Sequence, residues 1–296
     1  MTPDDPSPAE PARLRAERVT LAYGDTVVSR GLDFAVPDHA VTAVIGPNGC
    51  GKSTLLRALG RLLRPAAGRV VLDGRPIRSV PPRAVARTVA VLPQSPQAPP
   101  GLAVADLVAR GRHPHQSWYR QWSSGDREAV AHALELTGML DCADRTLEQL
   151  SGGQRQRAWI SMALAQETDL LLLDEPTTFL DLAHQIEVLD LVRELNERHG
   201  RTVVMVLHDL NLAARYAHRL VAMSRGAVRA EGTAEEVLTP ELLAEVFGLR
   251  CAVVPDPVSG TPLVVPVSAH DTAPAHGAAA TGGGSVRAGP ADAPAG

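Results

Sequence analysis

The sequence has 296 residues, 45% of them hydrophobic and 21% charged, with a formal net charge of -4. That is ordinary globular composition, long enough for one large domain or a domain with a subdomain, and the mild negative balance speaks against a nucleic-acid binder. Three scattered cysteines, Cys50, Cys142 and Cys251, form neither a disulfide framework nor a zinc spacing, and no apolar run reaches the roughly 18 residues that span a bilayer.

Residues 1–13, acidic and proline-rich with no apolar core, read as a disordered tail and not as a signal peptide. From Leu14 to Gly46 apolar and polar residues alternate between Gly and Asp turns, which predicts several short strands. Leu55, Leu56, Leu59, Leu62 and Leu63 have the spacing of a helix with one buried face, ended by Pro65. Two short strands are expected around Asp73-Gly74. From about Pro96 to Leu150 the pattern is helical, with a loop over "RHPHQSWYRQWSSGD" and a helix capped by Ser124 or Asp126. Beyond it, apolar strands alternate with amphipathic helices, the pattern of a parallel sheet covered on both faces. Thr233 with Glu236 makes a capping box, and Thr239-Pro240 opens a further helix. Residues 268–296, mostly Ala, Gly and Pro, read as a second disordered tail.

Lys52 is the only lysine in the chain. Gly46, Pro47, Asn48, Gly49, Cys50, Gly51, Lys52, Ser53 and Thr54 form the phosphate-binding pattern G-x-x-x-x-G-K-[ST], between a predicted strand and a predicted helix. Glycines let successive N–H groups face a phosphate, and the helix N-terminus adds partial positive charge. A compact ammonium suits such a nest where the wide guanidinium fork does not. The Ser53 hydroxyl is a candidate Mg²⁺ ligand, and Cys50 is read as packing. The apolar strand of "LLLLDEP" ends in Asp174, a second candidate for the metal, and Glu175, placed to polarise an attacking water.

"LSGGQRQR", Leu150 to Arg157, narrows the reading further. Together with "GPNGCGKST", Gln94, "LLLLDEPTTFLD" and His208 in "VLHD", in that order, the chain resembles the nucleotide-binding subunits of ABC transporters from about Leu14 to Pro266. The resemblance implies an α/β fold: a RecA-like P-loop NTPase core, an N-terminal antiparallel β subdomain and an inserted helical subdomain at about 95–155, all within residues 14–267. It implies ATP and Mg²⁺ as ligands, with Gln94 touching the metal and the water, and His208 touching the γ-phosphate. Ser151, Gly152, Gly153 and Gln154 would reach the γ-phosphate held by a second copy in a head-to-tail dimer. Asp181 would lie where the two copies meet, and Tyr23 would stack on adenine.

"RGRHPHQ", "TTFLD" and the closing "VFGLRCAVVPDPVSGTPLVVP" resemble the iron-chelate importers, a branch that also takes haem and cobalamin. The resemblance implies two membrane permease subunits, an extracytoplasmic substrate-binding protein, no nucleic acid, and a place on the cytoplasmic face of the membrane. His113 and His115 have no third metal ligand in view and are expected near the membrane partner. A nucleic-acid-associated ABC ATPase is the rival class. Its designs need a long coiled coil or two cassettes in one chain, and here one cassette and no heptad run are visible.

Overall fold

In the computed structural model, residues 12–116 and 122–268 are described. The expected tail ends at residues 1–11 and 269–296, and residues 117–121 of the expected loop, lie outside them.

The chain opens with β1 (Leu14–Tyr23), β2 (Thr26–Val36) and β3 (Val41–Ile45), followed by α1 (Lys52–Leu59). β4 (Ala67–Leu72), β5 (Arg75–Pro76), α2 (Pro82–Ala86) and β6 (Val89–Leu92) come next. Three helices, α3 (Val104–Ala109), α4 (Ser124–Leu136) and α5 (Gly152–Ala165), precede β7 (Leu170–Leu173). Then come α6 (Leu182–Glu197), β8 (Thr202–Val206), α7 (Leu210–Tyr216), β9 (Arg219–Ser224) and β10 (Ala227–Gly232). The described elements end with α8 (Ala234–Val237), α9 (Pro240–Phe247) and the hairpin β11 (Cys251–Pro255) and β12 (Pro262–Pro266).

Among the described residues the strands form a six-stranded sheet, ordered β10-β9-β3-β8-β7-β6, a four-stranded sheet, ordered β2-β1-β4-β5, and the hairpin. The larger sheet is parallel except for β10 at one edge. Its central strands β3, β7 and β8 are buried at every position, which explains their unbroken apolar runs. Each leucine of β7 is at most 1% exposed, and each such burial stabilises the fold by about 1.5–3 kcal/mol. The smaller sheet is antiparallel, and α1 lies between the two sheets with Leu55, Leu56 and Leu59 buried among residues of both. Its first two strands are not short: β1 has 10 residues and β2 has 11. Register shifts along β1 let that long ribbon bend over the core.

Two expected boundaries move. α1 ends at Leu59, not at Pro65, because Arg61 turns left-handed (φ 63) and the N–H groups of Leu62 and Leu63 fold back onto Arg57 O. Leu62, expected on the buried face, is 64% exposed. α4 is capped by Ser123 rather than by Ser124 or Asp126. Ser123 Oγ accepts from Asp126 N, and Ser123 N donates back to the Asp126 carboxylate. The expected capping box at Thr233 and the Pro-led start of α9 are present.

The register aligns the C-terminal ends of four neighbouring strands: Val44 pairs with Val206, Met205 with Leu173, and Leu173 with Leu92. The loops carrying Gly46, His208, Asp174 and Gln94 therefore leave the same edge of the sheet.

Candidate functional site

At that edge lies a cavity of about 490 Å³. It is lined by Asn48, Gly49 and residues 51–54 of the phosphate loop, with Val28, Gln94, Glu175 and His208. The loop needs glycine where the chain is most crowded. At Gly46 (φ 152) a Cβ would stand 2.2 Å from the carbonyl oxygen of Met223. Gly51 (φ 107) starts α1 with no side-chain cap, and α2 and α3 also lack one, whereas α4 to α9 are capped by side chains. The first amides of α1 are thus left for an anion.

Lys52 is 5% exposed, and its ammonium donates to Gly46 O at 2.8 Å and Pro47 O at 3.1 Å. It makes no ion pair among the described residues. A buried cation whose direct contacts are carbonyl oxygens, with the Asp174 carboxylate acting on it only at longer range, is poised for an anionic ligand. Burial pushes the Cys50 thiol up, away from thiolate, so this loop cysteine is a packing residue.

Glu175 is the meeting point of the site. Its Oε2 accepts from Gln94 Nε2 at 2.6 Å and from Thr178 Oγ1 at 2.9 Å, and its Oε1 lies 2.7 Å from His208 Nε2. Its backbone is left-handed (φ 53), the strained geometry often found at a functional position. Beside it Ser53 Oγ donates to Asp174 Oδ1 at 2.7 Å. Sequence reasoning missed Val28 and Thr178. Val28 stands on a different sheet, with nothing local to mark it. Thr178 lies three residues past Glu175 in a tight turn, a spacing at which a hydroxyl can reach back.

Asp174 is 3% exposed, and burial raises its carboxyl above the ordinary value despite the Ser53 hydrogen bond. The folded chain therefore takes up this proton before the unfolded chain does. Stability from that protonation is present at low pH and is lost as pH rises through the raised value. Asp174→Asn should then melt higher than wild type at neutral pH, by on the order of 2–4 °C, and the gain should vanish on acidification. Thermal denaturation across pH checks this; a lower melting temperature at neutral pH would contradict it.

The remaining expected residues lie outside this cavity. Ser151 caps α5, accepting from Gln154 N while its own N–H donates to Gln154 Oε1. Ser151 and Gly152 are exposed. Gly153 is buried, and a Cβ there would meet the His184 ring at 2.4 Å, so it is needed for the close packing of α5 on α6. Asp181 caps α6. The N–H and the ring of His184 hold its carboxyl below the ordinary value. Tyr23 is 45% exposed at the end of β1, where its hydroxyl accepts from Arg57. His115 contacts the carbonyl of Gln166, and among the described residues no cluster of His, Cys, Asp or Glu has metal-binding geometry.

The family model for ABC transporters matches residues 29–178. A siderophore transport system ATP-binding protein of Bacillus subtilis is 56% identical over 253 residues, covering 86% of this chain and 92% of that protein. The ferric enterobactin transport ATP-binding protein of Escherichia coli is 52% identical over 256 residues, covering 86% and 94%. Among solved structures, a metal-chelate type ABC transporter in an inward-facing conformation matches with a TM-score of 0.75 at 31% identity, covering 86% of this chain and 97% of that one.

Proposed function

The chain belongs to the ABC transporter family, whose ATP-binding subunits are ATPases coupled to transport, and on that premise we propose that it energises import of a ferric siderophore or a related iron chelate across the cytoplasmic membrane. The observation that carries the catalytic part is the convergence of Gln94 and His208 on Glu175 beside the cavity that holds Lys52. The cargo reading rests on the 52–56% identity to siderophore and enterobactin import subunits.

The triphosphate of ATP enters the cavity, and Lys52 exchanges its carbonyl partners for β- and γ-oxygens, joined by the free amides of the loop. Glu175 accepts the proton of the attacking water, and His208 holds the γ-phosphate side of the site. Ser53, Asp174 and Gln94 would hold Mg²⁺. The oxygens of Ser53 and Asp174 already converge, and a buried carboxylate gains from a hard cation. That ion supplies charge neutralisation at the phosphoryl oxygens. Tyr23 stacks on adenine.

Ser151, Gly152, Gly153 and Gln154 lie outside the cavity of their own chain, and Phe179, 92% exposed, lies beside Gly152. A second copy, placed head to tail, brings that helix start and Asp181 onto the nucleotide. Among the described residues no helix is long and apolar enough to cross a membrane. Two permease subunits supply the path, an extracytoplasmic binding protein delivers the chelate, and this chain sits on the cytoplasmic face. The cassette covers residues 14–267, and its helical part, about 95–155, moves against the permeases when ATP closes the dimer.

In cells lacking this chain, uptake of a labelled ferric siderophore should fall to background. The wild-type gene should restore it and the Glu175→Gln gene should not. Lost uptake of labelled haem or cobalamin in its place would reassign the cargo. ATP hydrolysis stimulated by DNA would remove the transport reading.

A further inference from the structure

We propose that Thr178 is a positioning residue for hydrolysis, holding one oxygen of the Glu175 carboxylate so that the other faces the reacting water. This rests on the reading of Glu175 as the group that takes the proton.

Three side chains touch that carboxylate, and they differ in what they are free to do. Gln94 and His208 are exposed and line the nucleotide cavity, so both have a further task once ATP is bound. Thr178 is half-buried and does not line that cavity. It shares a tight turn with its target: Thr178 N donates to Glu175 O at 3.2 Å, while Thr178 Oγ1 donates to Glu175 Oε2 at 2.9 Å. Backbone and side chain thus hold the same residue twice. The turn is itself anchored, because Gln185 of α6 donates to Leu180 O at 3.0 Å.

Oε2 is shared between Thr178 and Gln94, whereas Oε1 meets His208 alone. When Gln94 and His208 turn to the nucleotide, Oε1 is freed for the water and the hydroxyl of Thr178 is the contact that stays on Oε2 and keeps the carboxylate from rotating. A base that must find its orientation in every turnover loses rate without losing substrate. The next residue, Phe179, protrudes, so pressure from a partner at this loop would reach the carboxylate through one residue.

The test is single-turnover and steady-state hydrolysis by the full chain, with a fluorescent-nucleotide titration alongside. Thr178→Val should lower kcat by about tenfold with nucleotide affinity unchanged. Thr178→Ser, which keeps the hydroxyl, should bring kcat back to within about twofold. In a Glu175→Gln background, Thr178→Val should cause no further loss, since the carboxylate it holds is gone. The titration reports whether each variant is folded, and Thr178→Ala replaces Thr178→Val if the latter does not bind nucleotide. A wild-type kcat for both hydroxyl-free variants overturns the proposal, as does failure of serine to rescue or an undiminished loss in the Glu175→Gln background. If Glu175→Gln itself hydrolyses at the wild-type rate, the reading of Glu175 falls first and this proposal with it.

Discussion

Glu175→Gln should lower ATP turnover by on the order of 10²- to 10⁴-fold, while the protein still binds ATP. The amide keeps the size of the side chain and can still meet Gln94, Thr178 and His208, which surround Glu175 at 2.6–2.9 Å. What it lacks is basicity, so it cannot take the proton of the attacking water. In the proposed function binding lies elsewhere, in Lys52 and the loop amides, so affinity should change by no more than about threefold. Blocked turnover should also accumulate the closed pair, since both nucleotides stay intact between the two copies. Phosphate release, a fluorescent-nucleotide titration and size-exclusion chromatography with Mg-ATP read the three effects. Wild-type turnover in this variant would remove Glu175 from the chemistry, and a chain that stays monomeric with ATP bound would remove the two-copy site.

Lys52→Ala should fail at the earlier step. Lys52 is 5% exposed and its ammonium is hydrogen-bonded to Gly46 O and Pro47 O, so the site holds a cation with no carboxylate in direct contact. Removing it takes away the charge-assisted contacts to the triphosphate, and nucleotide affinity should drop by roughly 10²-fold. The two carbonyls also lose their donor, at a cost of about 1–2 kcal/mol in stability. Lys52→Arg should not rescue, because a wide planar fork does not reproduce the compact point charge that sits between Gly46 O and Pro47 O. The same titration separates this variant from Glu175→Gln: one loses binding, the other loses turnover. Unchanged affinity in Lys52→Ala would dismantle the phosphate-loop reading.

The two boundary corrections share a physical origin. Leu62 and Leu63 continue the apolar spacing of α1, yet the helix has already ended, because Gly60 packs so closely that a Cβ there would meet Val91 at 2.6 Å and Arg61 turns left-handed. Gly60 is the one local mark of that contact with β6, and the apolar spacing on either side of it hides the stop. At α4, three polar residues within four positions, Ser123, Ser124 and Asp126, could each begin a helix. Packing of Asp126 against the buried Arg112, at 2.9 Å, selects the register in which Ser123 caps.

The residues alone determined the phosphate loop, the Asp174-Glu175 strand end, the signature helix start and the alternation of apolar strands with helices. Each depends on contiguous residues, and the geometry there tolerates few substitutes: glycine where a Cβ would strike Met223, lysine where a compact ammonium meets two loop carbonyls. Only the tertiary structure decided which of these pieces touch. It set Gln94, 81 positions away, on Glu175, drew Val28 into the cavity from another sheet, and kept Ser151 and Asp181 out of it. Strand order makes those choices, and strand order follows from how buried faces pack across the whole sheet, a property no single segment of the chain carries.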